Sequence, residues 1–390
     1  MLKFFDVQKL NNLSDVKILS VDIKSGLTEI LNKVAPMGKV AFITFPETHE
    51  NYSKTIITSL SAVNARLISL IMPEKAEYTV EYASLVFNLP EDIRAVIVID
   101  RKLYRIASYY SNIKSVPLIY VPDSACVACT LEKSFYLKNG DKFDSVAGAG
   151  DVFVIADEKT VKREVAEGYA FNMARLTTLI DYRIMAATGK LTDAAAYCAV
   201  LEGVKSTYAV LSEKIEDRPN YVLFNGLKIA LADRAENFSF INSSSERAAA
   251  CLFAGGVDFS SKAELYFAIR ILKLYAAAFG ADGEAETFPA YLDRAQQVAS
   301  ALGLSQGVAD GALLDNIEYA RAKFAAAIKA MNNLQTEIKQ ILSHESGILG
   351  KFYALGGTGK NIDGEIINYA GDTVFGVNAM SFLRETGLID

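Results

Sequence analysis

Cys126-Val-Ala-Cys129 is where two nucleophilic side chains recur at a spacing with its own chemistry. A C-x-x-C serves as a redox dithiol or as half of a zinc site. A zinc knuckle needs a second pair, and the other two cysteines, Cys198 and Cys251, are single. The pair therefore reads either as a redox dithiol or as two small, half-buried thiols. The chain has only two histidines. His49 follows Phe45-Pro46-Glu47-Thr48 and His344 lies in Ser343-His344-Glu345-Ser346, so both sit beside helix boundaries and read as surface or capping residues. Neither has a motif to carry it to a nucleophile, so no Ser-His-Asp or Cys-His constellation can be built.

Three further segments imitate functional motifs. Gly356-Gly-Thr-Gly-Lys360 resembles a phosphate loop, but it follows the helical ILGKFYAL, and Asn361 stands where Ser or Thr is required; it reads as a helix C-cap and turn. Gly148-Ala-Gly150-Asp151 precedes a strand instead of following one, and also reads as a turn. Ser243-Ser-Ser-Glu246 and Ser261-Lys-Ala-Glu264 fit the S-x-x-E capping box. Asp181, in a helical stretch with Arg183, reads as a structural ion pair.

The elements that must position these residues change character part-way along the chain. Up to about residue 157, short apolar runs such as KVAFITF, ARLISLIM, AVIVID and VPLIYVP alternate with helical stretches. Continuous apolar strands are buried on both faces, which predicts a doubly wound parallel sheet. LEKSFYL and KFDSV flank Asn139-Gly140-Asp141 and predict a β-hairpin, after which VFVIAD closes the domain. Beyond it, long 3.6-period segments rich in Ala and Leu predict a helical half, with Tyr221–Ala232 as an exception where Asn225-Gly226 suits a hairpin or a helix boundary. The division is 1–157 for the α/β domain and 158–390 for the helical one, with a ligand expected in the cleft between them.

Composition narrows the function classes. With 51% hydrophobic and 22% charged residues, the chain of 390 residues can fill two cores. A formal net charge of -6 without a basic block argues against a nucleic-acid binder and leaves a small anionic ligand open. Asp6 and Lys9 interrupt the N-terminal apolar run, and no run approaches the roughly 18–20 residues of a membrane span, so the expected location is the cytoplasm, without a membrane span.

The order of VPLIYVP, VFVIAD, the helix opening Gly168-Tyr169-Ala170, Asp181-Tyr182-Arg183, the Ser245-Glu246 pair and the tail FGVNAMSFLRETGLID is similar over nearly the whole chain to one group. It resembles the sn-glycerol-1-phosphate dehydrogenases, within the superfamily of glycerol dehydrogenase, iron-dependent alcohol dehydrogenases and dehydroquinate synthase. The resemblance implies a Rossmann-like parallel-sheet N-terminal domain followed by a helical C-terminal domain, the dehydroquinate synthase-like arrangement. It implies NAD(P), a divalent metal held by one Asp and two His, and hydride transfer from a metal-bound alkoxide.

Position by position, the resemblance also implies what has been replaced. The glycine triplet that would admit a diphosphate after AVIVID corresponds to Ile99, Asp100 and Arg101. The three metal-ligand positions correspond to Phe171, Cys251 and Lys262. Asp100, Arg101, Ser124 and Thr130 remain as positional candidates for contacting a cofactor. The expectation is a divergent pseudoenzyme without a metal or cofactor. Two alternatives stand beside it: an NAD(P)-dependent oxidoreductase for a glycerol-phosphate-like polyol or its ketone, and a homo-oligomeric interaction scaffold.

Overall fold

The computed structural model describes residues 10–74, 78–140, 142–165, 167–169, 171, 172, 174, 175, 181, 219–235, 271 and 380. By its internal contacts the chain divides into two compact units, Met1–Asn172 with Glu202–Ser239, and Met173–Leu201 with Phe240–Asp390.

The first unit is built on a six-stranded, wholly parallel sheet. Its strands are β1 (Lys17–Leu19), β2 (Lys39–Thr44), β3 (Arg66–Ile71), β4 (Ile93–Val98), β5 (Leu118–Tyr120) and, after the hairpin strands β6 (Ser134–Asn139) and β7 (Lys142–Ala147), β8 (Val152–Ile155). The spatial order is β1-β8-β5-β4-β2-β3. In the hairpin, Asn139 pairs with Lys142 and Gly140 takes a φ of 58°, as the Asn-Gly turn requires.

Alternation along the strands divides the apolar side chains between two faces. Val40, Phe42, Ala95, Ile97, Ile119, Phe153 and Ile155 share one core with Ile23, Leu27, Ile30 and Leu31 of α1 (Ile23–Val34) and Ile56 and Leu60 of α2 (Pro46–Ser61). α4 (Tyr104–Lys114) packs against β4 and β5, where the rings of Tyr104 and Tyr120 meet edge to face with centroids 5.1 Å apart. Helix starts follow their local chemistry. Asp22 accepts from the Ser25 N–H at 3.0 Å to cap α1, Pro46 opens α2, and Thr79 accepts from the Tyr82 N–H at 3.1 Å to cap the short α3 (Val80–Ser84).

One expectation is corrected. Asn225-Gly226 is neither a hairpin nor a boundary but the middle of α5 (Pro219–Ala235), with both residues buried. A Cβ at Gly226 would lie 2.8 Å from Val127 Cγ2, so glycine serves close packing here and not a turn. The residues sit where a helix passes over the loop following β5.

Candidate functional site

A doubly wound sheet leaves a crevice where the direction of strand addition reverses, outside the carboxyl ends of the two strands concerned. Here β3 lies outside β2 on one side, and β4 returns to the other side, so the reversal falls between β2 and β4. Thr44 ends β2, and Asp100 stands two residues past β4. The Asp100 carboxylate crosses that crevice. It accepts from Thr48 Oγ1 at 2.6 Å, Thr44 Oγ1 at 3.3 Å and the Phe45 N–H at 3.2 Å. Burial pushes the Asp100 carboxyl above its ordinary range, and these three donors work against that rise.

Arg101 opens a 3-10 turn, Arg101–Leu103, that leads into α4. Its Nε donates to Glu164 Oε2 at 2.6 Å and its Nη2 to Glu164 Oε1 at 3.3 Å. Ser124 Oγ donates to the same Glu164 Oε2 at 2.7 Å and also accepts the Cys126 N–H at 3.0 Å. Glu164 reaches this position because Arg163 bridges to Ser124, with the Ala125 N–H donating to the Arg163 carbonyl at 2.9 Å. The Glu164 backbone then takes a φ of 52°, a left-handed conformation unusual for this residue type. Burial raises the Glu164 carboxyl, but Arg101 and the Ser124 hydroxyl outweigh it and hold the group below its ordinary value.

Asp123 adds a third carboxylate at the end of β5. Arg163 Nη1 donates to it at 3.1 Å, while Arg163 Nη2 donates to Glu47 at 2.8 Å. Burial raises the Asp123 carboxyl to about 6 despite Arg163, with the Asp100 and Glu164 charges adding to the rise. The carboxyl edge around the crevice thus gathers Glu47, Asp100, Asp123 and Glu164 against two guanidinium groups.

Of the four positional candidates, Arg101 and Ser124 are joined through Glu164. Asp100 is turned toward β2. Thr130 closes a local turn, donating from Oγ1 to the Val127 carbonyl at 2.6 Å. Phe171 is helical and 2% exposed, and a buried hydrocarbon ring cannot ligate a metal. Cys251 and Lys262 lie outside the described residues, as do His344, both S-x-x-E boxes and the 356–360 glycine segment. His49 lies in α2, stacked on Phe42 and within 3.1 Å of Ser69 Oγ. Asp181 is helical and buried. Among the described residues no group of three His, Cys, Asp or Glu is placed to hold a metal ion, and no helix is long and apolar enough to cross a membrane.

No family model and no curated sequence matches this chain. Solved structures do. The archaeal halo-thermophilic alcohol dehydrogenase ADH/D1 of a Red Sea brine pool, in a variant form, is similar over 96% of both chains with a TM-score of 0.58 and 11% identity. An iron-containing alcohol dehydrogenase from Thermotoga maritima is similar over 96% of this chain and 98% of its own, with a TM-score of 0.57 and 9% identity. Glycerol dehydrogenase from Schizosaccharomyces pombe follows at 14% identity and a TM-score of 0.51, over 87% and 91%. The fold is therefore the two-domain one of iron-containing alcohol dehydrogenases, a Rossmann-like domain followed by a helical domain. Identities this low carry the fold and not the chemistry.

A dinucleotide's diphosphate needs close backbone approach and unspent N–H donors at the switch point. At this switch point part of that supply is already taken. The Phe45 N–H is already given to Asp100, whose carboxylate bonds across the crevice to Thr44 and Thr48.

Proposed function

We propose that this chain is a divergent relative of the glycerol-1-phosphate and iron-dependent alcohol dehydrogenases that does not perform metal-dependent hydride transfer. One observation supports this most: the turn after β4 carries Asp100, bonded across the switch point to Thr44, Thr48 and the Phe45 N–H, where a diphosphate would need open backbone. Phe171, at the first metal-ligand position, supports it independently. Titration calorimetry of the whole chain with NAD(H) and NADP(H) tests the reading. The expected result is no saturable binding in the micromolar range; a low-micromolar Kd, weakened by Arg101→Ala, would overturn it.

A second reading has its own observation. The Glu164 carboxylate occupies a position between the Arg101 guanidinium and the Ser124 hydroxyl, donors that equally suit a phosphate. On this reading the chain is an NAD(P)-dependent oxidoreductase for a phosphorylated polyol, and an anionic ligand must displace Glu164. Glu164→Gln, which weakens the internal anion, separates the two readings: phosphate or glycerol phosphate binding that appears or strengthens in this variant favours the second.

A further inference from the structure

The C-x-x-C lies in the loop after β5, between the start of α4 and the passing α5, and nothing in the proposed function uses it. Cys126 is fully buried, Cys129 is partly exposed, and both are thiols rather than a cystine. We propose that Cys126 and Cys129 form a thiol–disulfide exchange site, in which Cys129 attacks a low-molecular-weight disulfide and Cys126 resolves the mixed disulfide.

Two Arg–Glu pairs clamp the loop onto α4 and its preceding turn, on either side of the cysteines. Arg101 and Arg105 stand four residues apart. Arg101 is tied through Glu164 to Ser124, whose Oγ accepts the Cys126 N–H at 3.0 Å. Arg105 donates through Nε and Nη2 to Glu132 at 2.8 and 2.6 Å, three residues past Cys129. The Arg105 guanidinium is held further by the Tyr78 and Phe135 rings, 5.0 and 5.7 Å from its carbon. Between the clamps the chain reverses: the Thr130 N–H donates to the Val127 carbonyl at 3.2 Å, and Cys129 and Leu131 take φ values of 62° and 63°.

The sulfurs share the environment of these cations. Cys129 acts electrostatically on Arg105 beside Glu132, and Cys126 on Arg101 beside Glu164, so each sulfur lies within the field of one guanidinium. A thiolate beside a fixed guanidinium is the condition that makes a cysteine nucleophilic, whereas structural thiols sit in apolar surroundings. The difference in exposure assigns the order, since an incoming disulfide meets Cys129 first.

The exchange balances with a small disulfide such as glutathione disulfide as oxidant. Cys129 releases its proton, and the thiolate attacks one glutathione sulfur. The glutathione S–S bond breaks and the expelled thiolate takes up a proton. Cys126, deprotonated in turn, attacks the Cys129 sulfur and expels the second glutathione. Two protein thiols become one disulfide, and one glutathione disulfide becomes two glutathione molecules.

The test is to expose the full reduced chain to glutathione disulfide, quench with an alkylating reagent and map the peptides by mass spectrometry. In the wild type, a Cys126–Cys129 disulfide is expected with loss of alkylation at both positions. Cys126→Ser, nearly isosteric, is expected to trap a glutathione adduct on Cys129 that the wild type does not accumulate. Cys129→Ser is expected to leave Cys126 without an adduct. Full alkylation of both cysteines in the treated wild type would overturn the proposal, as would an adduct that persists on wild-type Cys129 or one absent from the folded Cys126→Ser chain. The outcome is independent of nucleotide binding, so failure here leaves the proposed function untouched.

Discussion

Asp123 carries a cost that pH reveals. The residue is 5% exposed, and burial raises its carboxyl from the ordinary 3.8 to about 6. Between those values the native chain holds a proton that the unfolded chain has lost. Native stability therefore falls as pH rises through the window and levels off above it. Asp123→Asn stays neutral throughout, so its stability relative to wild type should improve across that window by up to about 1.4 kcal/mol per pH unit. Chemical denaturation at several pH values checks this, and a constant difference between the two proteins would count against it. Glu164 acts in the opposite sense. Its loss in Glu164→Ala strands Arg101, whose side chain is 10% exposed, and should cost about 1–3 kcal/mol, measured by the same denaturation curves. Asp100 and Arg101 could be singled out in the sequence because they stand at the end of AVIVID, where the resemblance places a glycine triplet. Glu164, Thr44, Thr48 and Asp123 could not, because only strand order brings them to Asp100 and Arg101, and strand order is a non-local property.

Among the elements, the strands were legible wherever burial on both faces left an unbroken apolar run, as in KVAFIT and IRAVIV. The hairpin was legible from Asn139-Gly140 between the runs LEKSFYL and KFDSV. α5 was not. Its buried residues include Val222, Leu223, Asn225, Gly226, Leu227, Ile229 and Arg234, which surround the helix and leave no polar face to set a 3.6-residue period. Asn-Gly then read as a turn, although the glycine is required by Val127 and not by a positive φ. Gly226→Ala tests that assignment. The new methyl gains helix propensity but must displace Val127 Cγ2 at 2.8 Å and crowd Asn172 Oδ1 at 3.1 Å. Overpacking of about 1–3 kcal/mol outweighs the propensity gain of about 1 kcal/mol, so a net loss of about 1 kcal/mol is expected. Thermal unfolding that shifts upward instead would show that the helix has room at this point.

Across the first unit, the chain leaves the sheet after β8 and returns with α5, and Arg234 fixes the return. Its side chain is 1% exposed, and its donors are fully employed on the earlier part of the chain. Nε and Nη2 donate to the two Asp15 oxygens at 2.7 and 3.1 Å, Nη1 to the Leu131 carbonyl at 3.2 Å, and Nη2 also to the Ala149 and Gly150 carbonyls at 3.1 Å each. One side chain thus joins the segment before β1, the loop after β5 and the approach to β8. The planar fork of arginine matches this set of acceptors, whereas lysine offers a single nitrogen. Arg234→Met removes every donor and should destabilise the chain by about 3–5 kcal/mol, with Arg234→Lys recovering only part. The loss should also be local in its first effects. Amide hydrogen exchange in 221–235 should quicken more than in β2 and β4, because the sheet core keeps its own packing when the helix loosens. Equal acceleration in helix and sheet would instead mean that α5 and the sheet open as one cooperative unit, and that Arg234 contributes to global stability without specifically controlling how the helix docks.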